Sequence, residues 1–97
     1  MAVGDVVTTL QTIADTADLL IQPAPGVEWI IHNLYFSGAV EVYKDDGLLD
    51  VLFDSDASAG ARLGYVWHVT NGTYLKIRNA SGFNAVLGYD GIVTKEP

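Results

Sequence analysis

Cysteine is missing from this chain, and with it every disulfide, thiolate zinc site and cysteine nucleophile. A sequence of 97 residues without such staples must hold together by packing or by assembly. Positive charge is scarce too. Five Lys and Arg stand against twelve Asp and Glu, a formal net charge of −7. That balance repels a phosphate backbone, so nucleic acid is not an expected partner. Long apolar runs are also lacking: no window reaches the roughly 18 residues that a membrane-spanning helix needs, and no membrane partner is expected. The opening residues, MAVGDVVTTLQ, carry neither a basic stretch nor an apolar one, and are not read as a secretion signal. The expectation is a protein made in a cytoplasm and used there, or carried out as part of a larger particle.

What the chain does have is apolar residues in short runs. It is 49% hydrophobic and 18% charged, enough to build a core in one domain over residues 1–97. Its ten glycines and three prolines cluster between the apolar runs, where turns belong. Only TLQTIADTADLL, residues 9–20, could be helical, and its threonines and β-branched residues favour strand–turn–strand instead. Strands are expected near 3–13, 17–22 and 27–37, the third following the break at PAPG. A hairpin follows in AVEVYKDDGLLDVLFD, turning at Asp45-Asp46-Gly47, with Leu49, Val51 and Phe53 on one face and Asp50, Leu52 and Asp54 on the other. After a small-residue loop at 55–61, a second hairpin is read over 62–79. There Leu63, Tyr65, Trp67 and Val69 alternate up to Asn71-Gly72, and Lys76 and Arg78 lie outside. A last strand runs from Ala85 to Tyr89 and on towards Thr94. About eight short antiparallel strands close most naturally as an all-β sandwich of jelly-roll-like form. Residues 1–11 would be an extended N-terminal arm or an edge strand.

No catalytic set emerges. His32 and His68 each sit in an apolar strand near a tryptophan, with no second ligand at metal spacing, so a structural or interface role is expected of them. Asp54, Asp56, Ser58 and Gly60 resemble the start of a calcium loop. Glycine falls at the seventh position instead of the sixth, however, and Tyr65 stands at the twelfth. With Asp45, Asp46 and Asp50 they read as a solvated acidic rim. No nucleophile elbow or phosphate loop is present, so no enzyme activity, cofactor or metal is expected. Among the aromatics, Tyr43 and Tyr74 fall on outer parities and are the expected contact residues; most others fall at core parity.

Residues 27–36, VEWIIHNLYF, break the alternation of a half-buried strand. Val27, Trp29, Ile31 and Tyr35 share one parity, while Ile30, His32, Leu34 and Phe36 share the other. A terminal segment of the same chain could cover the second face. The favoured reading is that Ile30, His32, Leu34 and Phe36 pack against another subunit or a larger surface. Val3, Val6, Val7 and Leu10 would add to a neighbouring sheet edge.

Two stretches, LIQPAPGVEWIIHNLYF and HVTNGTYLKIRNASGFNAVLGYDGIVTK, together about half the chain, resemble the small all-β structural proteins of tailed bacteriophages that decorate capsids. The resemblance implies a cement protein of the capsid surface. Such a protein binds assembled shells through the major capsid protein or another virion protein, often as a trimer, without catalysis. The alternative is a tail-fibre or baseplate module that recognises a glycan or another virion protein through Tyr43, Tyr74 or the loops at 55–61 and 80–84.

Overall fold

A computed structural model describes residues 2–97; Met1, the first residue of the expected arm, lies outside them. Among the described residues there are nine strands and no helix. They are β1 (Val6–Ile13), β2 (Asp18–Ile21), β3 (Glu28–Phe36), β4 (Val40–Asp45), β5 (Asp50–Asp56), β6 (Gly60–Arg62), β7 (Trp67–Thr70), β8 (Tyr74–Asn79) and β9 (Ala85–Lys95). They form two antiparallel sheets. One has the order β1–β9–β3–β6, with β7 also on β3; the other is β2–β8–β4–β5. Strands β6 and β7 lie end to end along one edge of β3, opposite Leu34–Phe36 and Glu28–Ile31 respectively. Taken as one interrupted strand, they complete the two four-strand sheets of a jelly roll.

Only β4 and β5 are both consecutive in sequence and paired, so the hairpin expected at Asp45-Asp46-Gly47 forms. Gly47 takes φ 89°, a left-handed value open to glycine, and the Asp46 carboxylate accepts from the N–H groups of Leu48 and Leu49. The expected hairpin over 62–79 does not form. β7 pairs with β3 in one sheet, and β8 pairs with β2 and β4 in the other. Gly72 has no positive φ, so Asn71-Gly72 does not make the mirror-image turn that hairpins use. Instead the chain turns a corner between sheets. The Asn71 side chain donates to the Pro23 carbonyl at 3.0 Å, and the Gln22 amide donates to the Asn71 carbonyl at 2.8 Å. Tertiary contacts outweigh a local turn preference.

The irregular strand at 27–36 has a simple cause. In β3, Ile31 pairs with Gly91 of β9 and Asn33 pairs with Asp90, so His32 is one residue too many. It forms a β-bulge, and alternation restarts after it. Trp29 and Ile31 point inward before the bulge; Leu34 and Phe36 point inward after it, 0% and 5% exposed. One face therefore stays apolar throughout, and the apparent second greasy face is a change of phase. Gly91 fits this arrangement because a Cβ there would stand 2.8 Å from the Ile31 Cα.

The core lies between the sheets, with Ile21, Ile31, Leu34, Ile77, Leu87 and Val93 fully enclosed. One polar side chain is enclosed with them. Asn79 donates to the carbonyls of Ile13 and Phe83, both at 2.8 Å, and its oxygen accepts from the N–H and hydroxyl of Ser81. It fastens the end of β1 to the 80–84 loop.

Candidate functional site

Strand β5 ends one sheet and β6–β7 ends the other, and these two edges lie beside each other on one side of the sandwich. Both carry apolar side chains that reach solvent. A second bulge, between Val42 and Tyr43 of β4, leaves Phe53 as the extra residue of β5. Phe53 meets Trp67 edge-on at 6.4 Å, and Trp67 stacks on Tyr65 at 4.6 Å with the ring planes 22° apart. Between the two edges opens a cleft of about 740 Å³ lined by Phe53, Asp54, Ala61, Arg62, Leu63, Tyr65 and Trp67. A smaller one of about 340 Å³ shares Phe53 and Trp67 and adds Lys44, Val66, His68 and Leu75. Leu48, Leu49, Val51, Leu52, Leu63 and Val66 are exposed along the same strands and turns. These residues form one contiguous apolar patch on an acidic protein; a second group, including Val6, Leu10 and Ile92, is exposed on β1 and β9.

Tyr65 holds its place because of the β3 bulge. Its N–H donates to the His32 carbonyl at 2.9 Å, and His32 Nδ1 donates to the Tyr65 carbonyl at 2.7 Å. The Gly64 N–H donates to Asn33 Oδ1 at 3.0 Å. The break between β6 and β7 is thus filled by residues 63–66, which follow the bulge and carry Tyr65 over Trp67.

Arg62 forms the charged wall of the cleft. Its Nε donates to Asp54 at 2.9 Å and its Nη1 to Asp56 at 3.0 Å, while its guanidinium lies 5.6 Å from the centre of the Phe36 ring. Hydrogen bonding by Asp54, and then by Asp56, holds the guanidinium proton above its ordinary range. The other acidic residues of the expected rim are also occupied. Asp50 and Asp45 lie 2.8 and 3.5 Å from Lys76 Nζ, and Asp46 caps the β4–β5 turn. Among the described residues no three histidines or carboxylates converge as metal ligands.

The expected contact residues scatter. Leu34, Phe36, Val7 and Tyr74 are buried in the chain itself, so none of them offers a free docking surface. The bulge turns Leu34 and Phe36 inward, and β1 lays Val7 on the core. Tyr74 keeps its outer parity, but the β4–β5 turn covers it: a Cβ on Gly47 would stand 3.8 Å from its hydroxyl. Tyr43 is half-buried between two cations, Lys76 at 4.8 Å and Arg78 at 5.1 Å from its ring centre, and its hydroxyl donates to Glu41. Ile30 and His32 are half-buried, on the far side of β3 and at the bulge. Val3, Val6 and Leu10 remain exposed, and residues 6–11 form part of a strand paired along its length with β9.

Sequence parity placed Phe53, Tyr65 and Trp67 with the core; the structure brings them together at the rim. Two apolar stretches, 48–53 and 63–67, flanking a loop of small residues were the available signal. No protein-family model matches the chain, and no curated protein matches it.

Proposed function

We propose that this chain is a non-enzymatic assembly protein that docks on a larger protein surface through its β5 and β6–β7 edges. The observation that carries the reading is the exposed run Leu48–Phe53 facing Leu63–Trp67 across an aromatic cleft. Contiguous apolar surface of this kind marks protein contact. Three interleaved aromatic rings supply the anchors that dominate such interfaces, and the Arg62–Asp54–Asp56 cluster supplies a polar rim. The resemblance to phage decoration proteins names the surface: an assembled capsid shell. Binding the assembled lattice in many copies, and not the free subunits, would stabilise the shell by mass action.

Co-sedimentation with assembled shells of the phage that encodes it tests the reading. The wild-type chain should pellet with shells, and the double variant Phe53→Ser, Tyr65→Ser should stay in the supernatant while remaining folded. Equal pelleting of the two, or none by either, defeats it. A second reading has its own support, since the stacked Tyr65–Trp67 pair is a platform on which a sugar ring can lie. A glycan array with reproducible hits lost in Trp67→Ala, with no shell binding, would move the assignment there.

A further inference from the structure

The sandwich has four free strand edges, and three carry a device that discourages pairing with another chain. β2 is four residues long and opens with Asp18, which takes Arg78 at 3.0 Å. β5 has Asp50, Asp54 and Asp56 together with a bulge. The β6–β7 edge is interrupted at 63–66. β1 has none of these. Its eight residues, VVTTLQTI, contain no charge and no proline, and they pair with β9 from Val6 to Ile13 without a register shift. On its outer face Val6 and Leu10 stand 70% and 67% exposed.

We propose that the β1 edge pairs antiparallel with the β1 edge of a second copy, joining the two β1–β9–β3 sheets into one continuous sheet about a two-fold axis. Self-complementarity identifies the occupant. Val6 and Leu10 stand four residues apart on one exposed face, so the same strand of a second copy can cover both, and β1 itself carries no charge to oppose its own kind. The flanking Asp5 and Asp15 constrain only the register.

Side chains select the register, because directly opposed residues share a face. Centring on Leu10 would set Asp5 against the second copy's Asp15. Centring on Thr9 would set Val6 against Thr12 and Leu10 against Thr8. Centring on Thr8 opposes Val6 and Leu10 on both sides of the axis, so that each exposed apolar group covers the other. It also places Asp5 opposite Gln11, with no like charges facing. The Thr8-centred pairing is the one assigned. It gives a two-fold dimer in place of the trimer that the phage resemblance implies. It uses the edge opposite the cleft, and so stands or falls separately from the docking reading.

Light scattering over a dilution series, combined with cysteine cross-linking, tests the pairing. The wild-type chain should show twice its 10.4 kDa mass. Leu10→Lys, which adds a charge at a solvent-facing position, should halve that mass and keep the same circular dichroism spectrum. Leu48→Lys, on the other side of the sandwich, should leave the mass doubled. Because the chain has no native cysteine, Thr8→Cys should cross-link to dimer under mild oxidation, and Thr12→Cys should not. A monomer at all concentrations overturns the pairing. So does a dimer that survives Leu10→Lys or that cross-links through position 12 in preference to position 8.

Discussion

Deleting His32 should do less harm than deleting its near neighbour Tyr35. The bulge makes His32 the extra residue between Ile31 and Asn33, whose partners Gly91 and Asp90 are already consecutive on β9. Its removal closes the bulge and leaves Trp29, Ile31, Leu34 and Phe36 facing the core. What is lost is the pair of hydrogen bonds to Tyr65, at 2.9 and 2.7 Å. At about 1 kcal/mol each, the loss is about 2 kcal/mol. Deleting Tyr35 instead reverses the phase of Phe36, which is now buried against the core. Exposing it should cost roughly 3–5 kcal/mol, the range for emptying a buried phenylalanine site. The Tyr35 hydroxyl's bond to Asp90 at 2.9 Å is lost as well. Urea unfolding followed by the fluorescence of Trp29 and Trp67 measures both. Equal losses for the two deletions, or a His32 deletion that does not fold, would refute the bulge as the origin of the strand's double apolar pattern.

Asn79→Ala removes four hydrogen bonds at a fully enclosed site and strands the Ile13 and Phe83 carbonyls. Its urea midpoint should fall by the equivalent of roughly 3 kcal/mol with an unchanged slope. Thr16 sits at φ 65°, a strained value for a β-branched residue, so Thr16→Gly should raise stability by about 1 kcal/mol in the same assay. Asp46 is held below the usual carboxylate value by the N–H groups of Leu49 and Leu48, and Asp56 by the Ser58 N–H and then Arg62. Depressed acids stabilise the fold above their unfolded value and lose that contribution as pH falls through the folded one. The urea midpoint should therefore drop below about pH 4, and Asp46→Asn should flatten that drop. Tyr35 and Tyr43 are raised, by hydrogen bonds to Asp90 and Glu41. Their contribution is complete below the unfolded phenol value and is lost as pH rises through the folded one, so an alkaline decline should begin near pH 10.

Strand positions were readable because they depend on short-range pattern. Alternation marks β2 and β8, and Asp45-Asp46-Gly47 sets the one local hairpin. The sandwich class follows from many short strands and an absent helix signal. Phase and pairing were not readable. A bulge is one residue among nine in β3, and nothing in His32 announces it; only the pairing of its neighbours Ile31 and Asn33 with the consecutive Gly91 and Asp90, far along the chain, gives it meaning. Asn71-Gly72 carries a strong local turn preference that Pro23 and Gln22 override from a distant connection. The cleft was hidden for a related reason. Whether Phe53 or Tyr65 lies inside or at the rim depends on which strands end each sheet, and strand order is a property of the whole chain.

The place of β9 has a consequence for synthesis. The last of the nine strands is an interior one, seated between β1 and β3, and it pairs Gly91 with Val7 on one side and Ile31 on the other. Until residues 85–95 have left the ribosome, the sheet they complete cannot close. The nascent chain holds β1, neutral and eight residues long, with its partner side empty. Apart from the β4–β5 hairpin, every ladder waits on distant segments, a topology that folds in milliseconds to seconds. Closure of this sheet therefore waits on residues 85–95, and until they emerge the nascent chain is exposed to aggregation through β1.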